Sequence, residues 1–253
     1  MDKPKELLKL IKKAVEKIPN KSAIAFSGGV DSTLIAALAK EPKLYVVGTE
    51  NAKDIKASIN AAKKLDLQLE IIKVNKKDIW EAIPIIENIL RKIPKTPETE
   101  KAKLPPMKPN PVSISFNMPL YFVCECAKED IVVSGQGPDT MLGGFAKFLK
   151  LEKENAEKKM RADTKDLVTA GYLQHKAIGK HFGKKILLPY LEKDIVDFCM
   201  SLPYELKVKN KKRKWILVKA AELVMDKKIA SREKKSAQYG SGVMKHILKY
   251  KQR

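Results

Sequence analysis

The chain has 253 residues, of which 44% are hydrophobic and 32% charged, so it can bury a full core as one large domain or as a domain with a closely packed extension. No apolar run approaches the length of a membrane span, the first residues do not form a signal peptide, and three cysteines cannot build a disulfide framework, so we expect a cytoplasmic protein. The net charge of +21 suits RNA or another polyanion as a partner, but the lysines are scattered through every predicted helix, which is also typical of a thermophile surface.

Helices and short strands alternate along the first part of the chain. Apolar residues at helical spacing predict a leading helix over 5–18, which Pro19 and Asn20 end. Short apolar runs and the helical patterns between them predict strands at 23–26, 44–48, 69–74 and 131–133, and helices at 31–40, 52–65, 77–91 and 115–128. This alternation predicts βαβ units, a parallel sheet and ligands at the carboxyl ends of its strands.

Two segments depart from this alternation. Residues 94–111 are rich in proline and lysine, so we predict a loop or lid there rather than a helix or a central strand. Residues 152–165 are highly charged and predict a solvated helix, and the rest of the chain is predicted to be helical with breaks near Pro189 and Pro203.

The predicted fold class is therefore α/β, a parallel twisted sheet with helices on both faces, followed by a mostly helical C-terminal part. The predicted divisions of the chain, which we expect to form a single unit, are a leading amphipathic helix over 1–20, an α/β core over 21–150, and a helical C-terminal part over 151–253.

A glycine-rich turn, Ser27-Gly28-Gly29, joins the first strand to its helix. Adjacent glycines permit positive φ and let a ligand approach the main-chain amides, while the free N–H groups at a helix start favour an anion. Ser32 and Thr33 add hydroxyl groups. Asp31 would repel an anion unless a divalent cation lay between them, as Mg²⁺ bound to a polyphosphate does. The turn predicts a pyrophosphate site, and a capped strand-to-helix turn is the alternative.

Two later stretches have a related character. The strand at 131–133 runs into S-G-Q-G-P-D-T-M-L-G-G-F, and its Asp139 is expected to lie opposite Asp31, so that two carboxylates could hold Mg²⁺ against a polyphosphate. Residues 231–242 join a basic run to Gly-Ser-Gly, which suggests a loop that closes on something anionic. Taken alone, the first stretch also fits a simple Gly/Pro turn, and the second fits solvated surface.

The motif S-G-G-V-D-S resembles the S-G-G-x-D-S signature of the PP-loop ATP pyrophosphatases, which split ATP into AMP and pyrophosphate. Four more stretches follow in the family order: V-G-T-E-N-A-K-D, the second glycine-rich turn, L-P-Y-L-E-K-D-I-V-D-F, and R-E-K followed by G-S-G. Together they resemble the synthetase domain of asparagine synthetase and β-lactam synthetase over nearly the whole chain after residue 20.

The resemblance implies a ligase that adenylates a carboxylate with ATP, releases pyrophosphate and forms an amide. It implies Mg²⁺ on Asp31 and Asp139, with Lys234 as the catalytic lysine and Gln136 at the position of a catalytic glutamate. In the family, the positions of Val47 and Gly48 meet adenine through main chain. The complete predicted nucleotide-binding set is Ser27, Gly28, Gly29, Asp31, Ser32, Thr33, Val47, Gly48 and Gly135.

Departures from the family pattern bear on the substrates. The chain starts Met1-Asp2, without an N-terminal cysteine nucleophile, so we expect no glutaminase domain and a nitrogen source that is free ammonia, a partner glutaminase or a substrate amine. Gln136 is a neutral amide, which can orient a nucleophile but cannot take its proton. Thr140 replaces a second acid and Leu187 replaces an arginine, which argues against aspartate as the acceptor more than against adenylation.

Two other functions remain open at this point. An RNA-modifying PP-loop enzyme, for example one acting on tRNA, would suit the net charge, although Cys124 and Cys126 are predicted to be inert thiols in a buried helix. A non-catalytic nucleotide-binding subunit would suit Gln136 and Thr140, but the retained acidic pair and catalytic lysine argue against it. The oligomeric state is not indicated by the sequence. No functional role is assigned to the three histidines, which are His175, His181 and His246.

Overall fold

The computed structural model describes residues 2–101, 108–232 and 237–252. At its centre is a five-stranded sheet with the strand order β3-β2-β1-β4-β5, and every pairing in it is parallel. The strands are β1 (Ala23–Ala25), β2 (Lys43–Gly48), β3 (Leu69–Lys73), β4 (Ile131–Ser134) and β5 (Lys185–Leu187). The predicted α/β class with a parallel sheet is confirmed. An antiparallel hairpin of β6 (Val208–Lys209) and β7 (Lys212–Arg213) lies outside this sheet.

Helices surround the sheet and make up most of the C-terminal part. In chain order they are α1 (Lys3–Val15), α2 (Val30–Leu38), α3 (Lys53–Leu65), α4 (Lys76–Arg91), α5 (Pro97–Lys101), α6 (Pro111–Cys126), α7 (Pro138–Met141), α8 (Lys153–Asp166), α9 (Tyr172–His181), α10 (Lys193–Ser201), α11 (Tyr204–Lys207), α12 (Trp215–Ala221), α13 (Lys227–Ala230), α14 (Ala237–Gly240) and α15 (Met244–Lys251). Short 3-10 turns lie at Ala146–Lys150 and Pro189–Leu191, and a π-helical turn at Leu167–Gly171.

Each face of the sheet has its own apolar layer. On one face, α1, α2, α10 and α12 pack together, with Leu7, Leu34 and Leu217 among the buried side chains. On the other face, α4, α6, α9 and α15 pack together through residues such as Ile83 and Ile178. Alternate residues of β1 serve the two layers: Ile24 lies in the first, and Ala23 and Ala25 face the second. Because β2, β1 and β4 are adjacent and parallel, the turns that follow them meet at one edge of the sheet.

The prediction that residues 94–111 contain no helix was wrong at both ends of that segment. Helix α5 begins at Pro97 and α6 begins at Pro111, because proline is tolerated in the first turn, where its missing N–H would have no helical partner anyway. Asn110 caps α6 by accepting hydrogen bonds from the amides of Val112 and Ser113 at 2.9 and 3.0 Å. Residues 102–107 of the predicted lid lie outside the described residues.

The C-terminal part is mostly helical, as predicted, but it also contains three short strands that were not predicted. Strand β5 extends the main sheet by pairing Ile186 with Val132, but its three residues are too few to show a strand pattern. The β6–β7 hairpin turns through Asn210 and Lys211, which have φ of 50° and 61°. Two successive residues with positive φ are typical of a type I′ hairpin turn. Its strands consist mostly of lysine and arginine, so no alternation of apolar residues announces them.

Three smaller expectations can be compared with the structure. Cys124 is buried as predicted, but Cys126, the last residue of α6, is exposed. Helix α8 is charged yet not fully solvated, since Ala156 and Met160 pack with Phe148 in a small separate apolar cluster. None of the described helices combines the length and apolar character needed to cross a membrane.

Candidate active site

The first glycine-rich turn lies at the carboxyl end of β1 and leads into α2. Gly28 has φ of 61°, and a Cβ on it would lie 2.7 Å from the carbonyl carbon of Ala57 in α3, so the turn contacts the backbone of that helix directly. The Ser27 amide donates to Ser32 Oγ at 3.2 Å, and Ser32 Oγ donates to the Gly29 carbonyl oxygen at 3.3 Å. These contacts hold the serine hydroxyls and the first turn of α2 around one small space.

Lys214 joins the two carboxylates that were predicted to bind metal. Its Nζ lies 2.6 Å from Asp31 Oδ2 and 2.7 Å from Asp139 Oδ1, and its side chain is only 12% exposed. Burial by itself lowers the pKa of Lys214, but the carboxylates of Asp139 and Asp31 outweigh burial and hold that pKa above its ordinary value. The structure therefore brings Asp31 and Asp139 together on a single protonated amine.

The β6–β7 hairpin, which Lys214 directly follows, positions this residue beside the two carboxylates. Lys214 itself has φ of 53°, an uncommon conformation for a long side chain, and its amide donates to the Leu142 carbonyl oxygen at 3.2 Å. Gly144 makes room for the contact, because a Cβ there would lie 2.0 Å from Asp139 Oδ1 and 2.3 Å from Lys214 Cε. Backbone strain at a non-glycine residue recurs at functional sites, where the surrounding structure enforces it.

The C-terminal segment contacts the same loops. Arg232 donates from its guanidinium to two main-chain oxygens of the first glycine-rich turn, at 3.0 and 3.3 Å. Gly240 lies directly on the carboxylate of Asp54, since a Cβ there would be 2.3 Å from Oδ1. Lys234, the predicted catalytic lysine, lies outside the described residues. The described residues before and after it thus both contact the walls of the site.

Two cavities meet at Asp31 and Asp139, which line both of them. The first, here called the central cavity, is bounded by the ends of β1, β2 and β4 and by α6 and α9. The second, here called the basic cavity, is lined by cationic side chains that include Lys212, Arg213, Lys214, Lys219 and Arg232. Predicted site residues that line the central cavity are Ser27, Asp31, Ser32, Val47, Gly135, Gln136 and Asp139. Gly28, Gly29, Thr33 and Gly48 line neither cavity, and neither does Leu187, which lies in β5.

The acidic pair fits Mg²⁺ by its chemistry. Among the described residues there is no cluster of three or more His, Cys, Asp or Glu side chains that could hold a metal ion by itself. Mg²⁺, however, is commonly held by one or two carboxylates together with substrate phosphates and water. Asp31 and Asp139 supply two carboxylates that already converge on one positive charge, and the amides and hydroxyls of the first turn lie beside them.

His175 from α9 lines the central cavity, although its sequence context assigned it no role. It is 5% exposed, its ring stacks on Phe116 with centroids 5.2 Å apart, and no described group hydrogen-bonds either ring nitrogen. Burial lowers the pKa of His175 to about 3, so the ring is neutral at pH 7. A neutral imidazole offers one hydrogen-bond donor and one acceptor.

This burial predicts a specific loss of stability in acid. The unfolded chain binds a proton at His175 below pH 6.5 whereas the folded chain does not until about pH 3, so the free energy of unfolding falls as the pH drops below 6.5. The loss should reach about 2 kcal/mol at pH 5, at roughly 1.4 kcal/mol per pH unit. Urea unfolding at pH 7.5 and pH 5.0 should show a smaller decrease for His175→Phe than for the wild type. Equal decreases would contradict the buried neutral ring.

Sequence reasoning missed three residues of the site. Lys214 stands in K-N-K-K-R-K, where nothing separates it from five other basic or polar neighbours in a very basic chain. Arg232 was noted only as part of a motif. It binds main-chain carbonyl oxygens, which every residue has, so the sequence does not indicate the contact. His175 has no motif partner because Phe116, on which it stacks, comes from a distant helix.

Comparison with known proteins gives a consistent result over most of the chain. The family described as asparagine synthase matches residues 6–188 and 187–252. A Methanocaldococcus jannaschii protein provisionally named as a glutamine-hydrolyzing asparagine synthetase is 29% identical over 272 positions, covering 91% of this chain and 47% of that protein. An Arabidopsis thaliana glutamine-hydrolyzing asparagine synthetase is 25% identical over 233 positions, covering 83% of this chain and 37% of that protein. The chain thus spans less than half the length of these two relatives.

Proposed function

This chain belongs to the asparagine synthase family, and from that premise we propose that it is an ATP-dependent, AMP-forming ligase that converts a carboxylate into an amide. The observation that carries the proposal is the convergence of Asp31 and Asp139, from two different strand-end turns, on one buried cationic group. A site that holds two carboxylates at a helix start beside clustered basic side chains suits a metal-bound polyphosphate.

In the proposed reaction an oxygen of the acceptor carboxylate attacks the α-phosphorus of ATP, and the bond to pyrophosphate breaks. An amine nitrogen then attacks the acyl carbon, AMP departs with the carboxylate oxygen, and the proton of the amine passes to solvent. Mg²⁺ would supply charge neutralisation for the departing pyrophosphate. Lys214 and the other side chains of the basic cavity would hold that pyrophosphate, while Val47 and Gly135 would border the adenosine.

Lys234 is proposed to neutralise charge at the α-phosphate and later in the tetrahedral intermediate. Gln136 would orient the nucleophile without accepting its proton, so the amine is expected to arrive uncharged, as ammonia from solution or from a partner glutaminase. Gln136 lines the central cavity, and its Oε1 is buried without a hydrogen-bond partner among the described residues. That oxygen is therefore available to accept a hydrogen bond from an incoming amine.

The test is pyrophosphate release from MgATP, with and without ammonium, over a panel of carboxylates and bulk tRNA. We expect release to depend on a carboxylate and to fall by on the order of 10²- to 10³-fold in Lys234→Ala, the usual loss when a preorganised charge is removed from a transition state. Lys235→Ala removes the same charge from the adjacent position and should retain most of the activity. Equal losses in the two variants would contradict a specific role for Lys234.

A function in RNA modification is the second candidate, and the net charge of +21 favours it. The three cysteines do not favour the thiolate form that sulfur transfer would need. Burial raises the pKa of both Cys124 and Cys199 to about 12, and burial followed by Glu125 and Glu70 raises that of Cys126. Pyrophosphate release that requires tRNA and no free carboxylate would favour this candidate over the ligase.

A further inference from the structure

The central cavity has an apolar wall to which the proposed reaction assigns no group of ATP. Its polar side, at the ends of β1 and β4, carries the acidic pair and the first glycine-rich turn. Its other side is formed by Phe116, Pro119 and Leu120 of α6, by Phe145, which follows α7, and by His175 of α9. Cavity walls with mostly apolar side chains and a few placed polar groups are typical of sites for organic ligands.

Charge limits what this wall can bind. The charged side chains that line the central cavity are Asp31, Asp54 and Asp139, all acidic, and no described lysine or arginine lines it. A second carboxylate on the acceptor, such as aspartate carries, would therefore be desolvated beside aromatic rings without a cationic partner. Thr140, which also lines the cavity, is uncharged and offers no compensation.

His175 is the polar side chain in this otherwise apolar wall. Its neutral ring is held in place by stacking on Phe116, and both its nitrogens lack partners among the described residues. A buried polar group without a partner destabilises a protein, so such groups in native structures call for an explanation. A ligand with one hydrogen-bonding group at the matching position would satisfy the ring.

We propose that the wall formed by Phe116, Leu120, Phe145 and His175 is the acceptor subsite, and that it selects a monocarboxylate with an uncharged apolar or aromatic body and one polar group that hydrogen-bonds His175. The proposal rests on the ligase function above and names its substrate class. The reactive carboxylate lies toward the acidic pair and the ATP phosphates, and the body lies against the rings of α6 and α9.

The first experiment compares pyrophosphate release by the wild type with MgATP and ammonium across three groups of probes. These are dicarboxylates (succinate, aspartate, glutamate), apolar monocarboxylates (hexanoate, benzoate, cinnamate) and polar-substituted ones (4-hydroxybenzoate, 4-hydroxycinnamate). We expect kcat/KM for the best monocarboxylate to exceed that for every dicarboxylate by at least about tenfold, and polar-substituted probes to exceed their apolar counterparts. A dicarboxylate that reacts as well or better overturns the proposal while leaving the ligase function standing.

The second experiment assigns the polar contact. His175→Phe keeps an aromatic ring next to Phe116 but removes both nitrogens, so the preference for 4-hydroxybenzoate over benzoate should fall by about tenfold or more. His181→Phe is the same substitution at an exposed position of α9 and should leave the preference unchanged. An unchanged preference in His175→Phe overturns the role of His175. If no carboxylate supports pyrophosphate release although ATP binds, the ligase function is overturned and this inference with it.

Discussion

Replacement of Lys214 by methionine is expected to remove adenylation and to destabilise the protein unless Mg²⁺ is present. The variant leaves Asp31 and Asp139 facing one another without the ammonium that now lies 2.6 and 2.7 Å from them. Loss of one partner from a buried ionic group typically costs 3–5 kcal/mol, and because the Asp139 side chain is 39% exposed we expect about 3 kcal/mol. For a chain of this size that is a decrease in Tm of roughly 9 °C.

Magnesium makes this prediction specific. If the two carboxylates form a cation site, millimolar Mg²⁺ should raise the Tm of Lys214→Met well above its effect on the wild type, because the ion replaces the missing charge and binds only the folded state. Pyrophosphate release should remain about 10³-fold below wild type, since methionine offers no charge to the leaving group. Thermal unfolding with and without Mg²⁺ measures the first effect. An equal Mg²⁺ response in both proteins would show that the pair does not bind the ion.

Lys193→Met is the matched control. Lys193 also forms an ion pair with an aspartate, Asp197, but its side chain is 86% exposed on α10. Exposed pairs contribute little to stability, so neither Tm nor the response to Mg²⁺ should change measurably.

Gly28→Ala is expected to abolish the stabilisation of the protein by MgATP. Gly28 has φ of 61°, and a Cβ there would lie 2.7 and 2.8 Å from the carbonyl carbon and oxygen of Ala57 and 2.8 Å from the Ser58 amide. These are backbone atoms of α3 that cannot rotate away, so the turn itself must move. Left-handed strain and overpacking together should cost about 3 kcal/mol, and the shift should displace the Ser27 and Ser32 groups from their mutual hydrogen bonds.

A second glycine separates the two causes. Gly183 has φ of 68°, yet no atom lies within 4 Å of the Cβ that alanine would add. Gly183→Ala should therefore show only the backbone cost, about 1 kcal/mol, and should keep the full increase in Tm on addition of MgATP. Nucleotide-induced stabilisation that survives in Gly28→Ala would contradict the proposed nucleotide site at the first turn.

The main sheet was predictable because its strands are separated by helices of clear period. Runs such as Leu44–Val47 and Ile131–Val133 are apolar throughout and, apart from the partly exposed Ile131, buried, so the pattern predicts both the strands and their carboxyl ends. Strand β5 and the β6–β7 hairpin were not predictable, because they hold two or three residues and owe their conformation to pairing and to positive φ at Asn210 and Lys211.

The residues of the candidate site also fall into predictable and unpredictable groups. Asp31 and Asp139 could be predicted because they belong to turns, and the glycine and proline residues next to them in the sequence indicate those turns. Lys214 and His175 act through contacts with residues far away in the chain, and neither stands in a local pattern that distinguishes it. The sequence therefore predicted the turns that form the site, but not Lys214, which neutralises the acidic pair, or His175, which lines the central cavity.

The packing of α1 against α12 has a consequence for how the protein is made. The apolar face of α1, including Leu7 and Ile11, is buried in the same cluster as Ile216 and Leu217 of α12. During synthesis on the ribosome α1 emerges well before α12, because most of the described elements lie between them in the chain. Until then the face of α1 lacks the part of its cover that α12 supplies, and Lys214, the residue just before α12, cannot reach the acidic pair. The nascent chain should therefore remain both aggregation-prone and inactive until α12 is released from the exit tunnel.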